Sequence, residues 1–194
     1  MSSSYGGAIS IVDTKTGKVE KTVTLSEKNP PDGSRPQIND VVVDPTTHRA
    51  YFSDYKSGNI RVVDPPNAAD AVSSILVHKS ATPTKLAFDS VRGFLYIADT
   101  NFFDENYGRT LWQADVRKGG ALKSIVRADN LYPVDVDVDT NTGNIYMTDT
   151  RATNLWAITP PAGAVCRRPR CLRPRFPTAW SSTLRQALHM SRTS

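Results

Sequence analysis

The sequence predicts an all-β fold, a partial β-propeller of about three and a quarter four-stranded blades followed by a basic tail, from two observations. The stretch from Pro36 to Asp64, PQINDVVVDPTTHRAYFSDYKSGNIRVVD, reads as three short strands joined by two tight turns, and its pattern returns twice further along. Lining up Pro36, Pro83 and Pro133 also brings together Asp44, Asp89 and Asp139, then Tyr51, Tyr96 and Tyr146, then Asp54, Asp99 and Asp149. Asp44, Asp89 and Asp139 stand 45 and then 50 residues apart. A strand-built period of that size marks sheets that cannot bury both faces without neighbours.

The chain opens with the last two strands of a blade. Gly7 to Asp13 is a strand ending in an Asp-Thr-Lys-Thr-Gly turn, and Val19 to Leu25 alternates apolar with polar residues as a half-exposed strand does. Pro30, Pro31 and Gly33 mark a loop from Ser26 to Arg35. The first full blade runs Ile38 to Asp44, Arg49 to Asp54, Asn59 to Asp64 and Ser73 to His78. Its innermost strand carries the run Val41, Val42, Val43, which fits a strand covered on both sides. The second blade has Lys85 to Asp89, Phe94 to Asp99, Thr110 to Asp115 and Lys123 to Ala128, with a longer loop from Thr100 to Arg109. The third has Val134 to Asp139, Asn144 to Asp149 and Asn154 to Thr159 before Pro160-Pro161-Ala162-Gly163 interrupts the pattern.

Residues 1–163 therefore form an incomplete propeller domain, and residues 164–194 a separate Arg/Pro-rich tail. The tail holds seven arginines and no lysine or acid, so removing its +7 from the overall +5 leaves −2 on the body. The body thus makes no case for nucleic acid or an anionic membrane. Two readings of the tail stay open: a disordered basic extension, or coding sequence read out of frame. Cys166 and Cys171 both lie in it, with a spacing that suits free thiols better than zinc. The beginning of the chain lacks the basic and apolar segments of a signal peptide, and no stretch of 18 apolar residues occurs. A soluble protein of unassigned compartment is expected, with no transmembrane segment.

Candidate ligand-binding residues lie where the chain enters each inner strand, at one mouth of the central channel: Gln37, Asn39 and Asp40, then Thr84 and Lys85, then Val134 and Asp135. Asn39 with Asp40 offers an amide oxygen and a carboxylate to a hard cation such as Ca2+; the plainer reading is a loop cap and a carboxylate on backbone amides. Val134 to Asp139 alternates valine with Asp135, Asp137 and Asp139. On an inner strand covered on both sides, Asp135 and Asp137 need a partner: a cation, a basic residue of the next blade, or water. Asn39, Asp135 and Asp137 are accordingly the candidate metal ligands. Asp99, Asn101, Asp104, Glu105 and Asn106 gather oxygen donors without the glycine and terminal glutamate of a calcium loop. Neither His48 nor His78 sits beside a recognisable nucleophile.

Asn39-Asp40-Val-Val-Val-Asp44, Ala50-Tyr-Phe-Ser-Asp54 and Asn59-Ile-Arg-Val-Val-Asp64 resemble the six-bladed propellers that include NHL-repeat, gluconolactonase/regucalcin (SMP-30), strictosidine-synthase-like and yellow/major royal jelly proteins. The resemblance spans Gly7 to Thr159, and Ile38 to Asp64 is most similar to the yellow/royal jelly pattern, whose members are mostly secreted and bind small amines. It implies a scaffold that binds a small molecule or protein at the channel mouth. The alternative it implies is a calcium-dependent lactonase or hydrolase of the gluconolactonase class. For that enzyme Asn39 matches a substrate-side Asn. Thr84-Lys85 replaces the expected metal-binding Asn-Gly, Pro133-Val134-Asp135 replaces Pro-Asp-Gly, and the N-terminal glutamate region has no match.

Overall fold

A computed structural model of the chain describes residues 8–24, 36–64, 72–77, 81–101, 109–128, 131–151 and 154–159. The expected tail, the strand end at His78 and the donors at Asp104, Glu105 and Asn106 lie outside the described residues. Strands β1 (Ala8–Val12) and β2 (Val19–Thr24) form a two-stranded sheet. The first full sheet is β3 (Ile38–Val43), β4 (Ala50–Asp54), β5 (Asn59–Val63) and β6 (Val72–Leu76), each antiparallel to the next. The second is β7 (Pro83–Asp89), β8 (Phe94–Asp99), β9 (Arg109–Asp115) and β10 (Ala121–Ala128). The third is β11 (Pro133–Val138), β12 (Ile145–Asp149) and β13 (Asn154–Ile158). A single turn of 3-10 helix, Val116–Lys118, joins β9 to β10, an element the strand pattern did not announce. All-β sheets stacked around an axis form a partial propeller.

The core sits between sheets, as a stack requires. Between the first and second full sheets lie Tyr51, Ile60, Leu86, Leu95, Ile97 and Ala114; between the second and third lie Tyr96, Leu111, Val136, Ile145, Met147 and Trp156. The hairpin β1–β2 leans on the first full sheet through Ile9, which meets Ile38 and Phe52. Tyr51 and Tyr96 thus hold the same place in successive junctions. The turn aspartates also repeat. Asp44 accepts the Thr46 N–H at 2.8 Å and the Thr47 hydroxyl at 2.7 Å, and Asp139 accepts Asn141 N–H at 3.0 Å and the Thr142 hydroxyl at 2.6 Å. Such Asx turns close the first hairpin of each sheet.

Three expectations need correction. First, Pro36 is not the counterpart of Pro83 and Pro133. Ile38, Pro83 and Pro133 pair with Asp54, Asp99 and Asp149, and the register then skips one residue, at Asn39, Thr84 and Val134. Each inner strand therefore begins with a β-bulge at the same place. Second, the valine run of β3 is not covered on both sides: Val41 is 43% and Val43 52% exposed. They face away from the second sheet, on the side where, among the described residues, the two-stranded hairpin stands. Third, Asp135 and Asp137 are exposed on the outward face of the third sheet, and each accepts the next backbone N–H, at 3.0 Å from Val136 and 2.8 Å from Val138. Water and those amides satisfy them, so burial no longer demands a cation or an arginine.

Candidate functional site

The bulges set three side chains on one cleft. A bulge leaves its extra residue outside the ladder and re-aims its side chain. Asn39, Thr84 and Val134 all line one cleft of about 340 Å³, together with Tyr55, Thr100 and Tyr132. The Asn39 amide nitrogen donates to the Thr84 carbonyl at 3.1 Å, which leaves its oxygen as an acceptor at the cleft. Thr84 in turn donates its hydroxyl to the Ala98 carbonyl at 3.2 Å. Arg109 donates to the Thr100 carbonyl at 3.0 Å and stacks its guanidinium 4.7 Å from the Tyr132 ring centre, fixing that wall.

The aspartate that ends the second strand of each full sheet acts as a three-way tie. Asp99 accepts Thr82 N–H at 2.9 Å and Asn101 N–H at 3.0 Å on one oxygen and the Trp112 indole N–H at 3.1 Å on the other. Asp149 repeats this with Tyr132, Arg151 and the Trp156 indole at 3.2, 3.0 and 3.3 Å. Asp54 accepts Gln37 N–H at 3.1 Å and the Ser57 hydroxyl at 2.7 Å, and Arg61 replaces tryptophan at 3.2 Å. All three carboxylates are buried, and each links the residues entering the inner strand to the third strand. The entering loop is thereby held against its own sheet.

The cleft takes in Asn39, Thr84 and Val134 of the sequence-predicted residues and not the others. Gln37 uses its backbone on Asp54 and Tyr55. Asp40 is a junction group, accepting the Leu86 N–H at 2.8 Å with the Lys85 ammonium 3.6 Å away, as the plainer reading of its carboxylate anticipated. Asp135 and Asp137 stand on the outward sheet face, apart from any cluster: no group of three His, Cys, Asp or Glu able to hold a metal occurs among the described residues. Sequence reasoning missed Tyr55 and Tyr132. Their signal was position, one residue beyond Asp54 and one before Pro133.

The arrangement offers uncharged hydrogen-bonding groups, two phenol rings and one aliphatic side chain. It suits binding an uncharged molecule with a flat or apolar part. Among the described residues no helix is long and apolar enough to cross a membrane.

No family model and no curated protein matches the chain. Among solved structures, the β-propeller domain of Myceliophteria thermophila Cps50 (Swd1) is similar at a TM-score of 0.56 and 13% identity, over 80% of this chain and 49% of that one. A Nidogen/Laminin complex structure is similar at a TM-score of 0.46 and 20% identity, over 56% of this chain and 39% of that one. The chain thus spans about half or less of the length of these proteins. At 13% identity the first likeness speaks for architecture alone, and with the stacked sheets it establishes that the chain has the β-propeller fold, as a partial ring.

Proposed function

We propose that the chain is an arc of a six-bladed propeller of the NHL, gluconolactonase, strictosidine-synthase-like and royal jelly group, and that it acts as a binding scaffold at the channel mouth. The observation that carries this reading is the convergence of the three bulge residues, Asn39, Thr84 and Val134, with Tyr55 and Tyr132 on one cleft. Its ligand is a small uncharged molecule with an aromatic or apolar ring. The ring is sandwiched by the phenols, and a hydroxyl or amide meets Asn39 and Thr84.

Titration of phenol and indole, followed by the amide and ring NMR signals of Tyr55 and Tyr132, tests it. Saturable shifts at those residues, lost in Tyr132→Ala, are expected; shifts scattered over the surface or unchanged by the substitution would reject the proposal. Calcium and a δ-lactone belong in the same titration. The calcium-dependent lactonase reading retains Asn39 and needs Ca2+ to move that residue's signals and turnover to follow.

A further inference from the structure

Besides the phenols of Tyr55 and Tyr132, the described residues that line the cleft bring three polar side chains to it, those of Asn39, Thr84 and Thr100. Each turns a donor toward the protein itself. The Asn39 amide nitrogen donates to the Thr84 carbonyl at 3.1 Å, and the Thr84 hydroxyl donates to the Ala98 carbonyl at 3.2 Å. The Thr100 hydroxyl donates to the Thr82 carbonyl at 3.3 Å, with the Thr82 hydroxyl 2.9 Å away. A carbonyl oxygen can only accept, so these bonds fix which side gives and which receives. A hydroxyl has one hydrogen, and once it is given the oxygen meets any further partner through its lone pairs. The same bond orients Asn39: its nitrogen is turned to Thr84, and its oxygen is left for whatever enters. Thr100 is buried, so Asn39 and Thr84 are the pair that a ligand reaches.

We infer that the cleft selects its ligand by the direction of the hydrogen bond: it takes a flat ring that carries an N–H or O–H donor and discriminates against the same ring with that donor removed. This rests on the binding role proposed above for the cleft and narrows the class of ligand that it takes. A donor on the ligand reaches the Thr84 hydroxyl oxygen or the Asn39 amide oxygen, which stand side by side across the junction of two sheets. A ring that bears acceptors alone, as an ether or a ketone does, sets lone pairs against lone pairs at that wall, and its oxygen gives up water without a replacement. One N–H of Asn39 remains beyond its bond to Thr84, set against the lone pairs of two oxygens. The phenol hydroxyls can turn either way and favour neither kind of ligand. Val134 brings no polar atom. Among the described residues that line the cleft none is charged, and the Lys85 ammonium close by stands 3.6 Å from the Asp40 carboxylate.

Methylation of the donor makes the comparison stringent. Indole and 1-methylindole share a ring system, as phenol and anisole do, and the methyl group replaces one hydrogen while adding apolar surface. Area alone favours the methylated member of each pair. A preference for the parent compound therefore reports the hydrogen bond and not the ring.

The experiment is an NMR titration of the full chain with these four probes, read at the amide signals of Asn39, Thr84 and Tyr132. Indole and phenol are expected to bind about tenfold or more tighter than their methylated partners. Thr84→Val, close in volume and without the oxygen, brings the ratio within about threefold, and Thr84→Ser keeps it. Circular dichroism unchanged from the parent chain shows that each variant retains its sheets, and the probe comparison on the parent chain decides without either variant. Equal affinities within each pair, with saturable shifts at the cleft, overturn the inference and leave the cleft as a binding site. Shifts that fail to saturate with all four probes overturn it together with the proposed binding role. A preference that survives in Thr84→Val and in Asn39→Ala alike also overturns it, because the donor would then meet a different acceptor.

Discussion

Arg61 meets the buried carboxylate of Asp54 at 3.2 Å, in the place where Trp112 and Trp156 meet Asp99 and Asp149 with their indole N–H groups. One position of the repeat thus accepts either a neutral donor or a full charge, provided that it donates. Arg61→Leu strands Asp54 without that donor and is expected to cost about 3 kcal/mol, because a buried charge loses its partner. Arg61→Trp keeps a donor and should cost less than half as much. Urea unfolding of the two variants checks the order, and equal losses would contradict it.

The first hairpin of each sheet closes through a residue with positive φ, and the occupants differ. His48 (φ 59) stands where the others have Gly93 (φ 72) and Gly143 (φ 80). A side chain in the left-handed region costs roughly 1 kcal/mol, so His48→Gly is expected to stabilise the chain by up to about that amount. Gly143→Ala should do the opposite and more: a Cβ there would come within 2.9 Å of the Arg92 guanidinium. Thermal melts of both variants, moving in opposite directions, are the check.

Arg92 itself bridges two sheets. It holds Asp89 at 2.9 Å and donates to the Thr140 carbonyl at 3.0 Å in the next sheet's turn. Arg92→Ala removes both bonds, leaving Asp89 with backbone donors alone, and is expected to cost about 1–2 kcal/mol. Hydrogen exchange should quicken at the turn around Thr140 and Asn141 more than at the turn around Asp44. Uniform change across both turns would count against a junction role.

The turn aspartates titrate below the ordinary carboxylate range. For Asp139 the Thr142 hydroxyl contributes most, helped by the Asn141 N–H. For Asp44 burial pushes upward, and the Thr47 hydroxyl, the Thr46 and Thr47 N–H groups and Arg117 together outweigh it. Since the folded-state value lies below the unfolded one, near 3.8, the stabilisation is complete above that pH. It fades as pH falls through the lower folded value. Thr142→Val is expected to raise the Asp139 pKa and to narrow the difference in stability between neutral and acid pH. A carbon-13 titration of the carboxyl reads it directly, and an unmoved pKa would rule out the hydroxyl as the cause.

The strands and turns were legible because a repeat writes them several times: Asp44, Asp89 and Asp139 in the first hairpins and the tyrosines of β4, β8 and β12 fall at matching steps. What misled was inference from one strand position to its environment. The run Val41, Val42, Val43 and the alternation around Asp135 and Asp137 were read as two-sided burial, which holds only when a sheet has neighbours on both sides. The proline alignment slipped on spacing: Pro36 stands eight residues before Asp44, whereas Pro83 and Pro133 stand six before Asp89 and Asp139, which makes Ile38 the true counterpart. The tryptophans were visible as residue types, yet their bond to an aspartate shows only once the hairpin pairing is known. Trp156 lies seven residues after Asp149, and Trp112 lies thirteen after Asp99 because of the longer loop.

Asn39, Thr84 and Val134 share a backbone position and nothing else: an amide, a hydroxyl and an isopropyl group. Each is the residue that the ladder skips, yet Asn39 still donates to the Thr84 carbonyl of the next sheet and Thr84 to the Ala98 carbonyl of the next strand, which leaves Val134 without a side-chain hydrogen bond to lose. Under the proposed binding role, substitution at Val134 retunes the cleft without removing a hydrogen bond, whereas Asn39 and Thr84 also tie sheet to sheet and strand to strand. A mutational scan at Val134 should change what is captured far more readily than whether the chain folds.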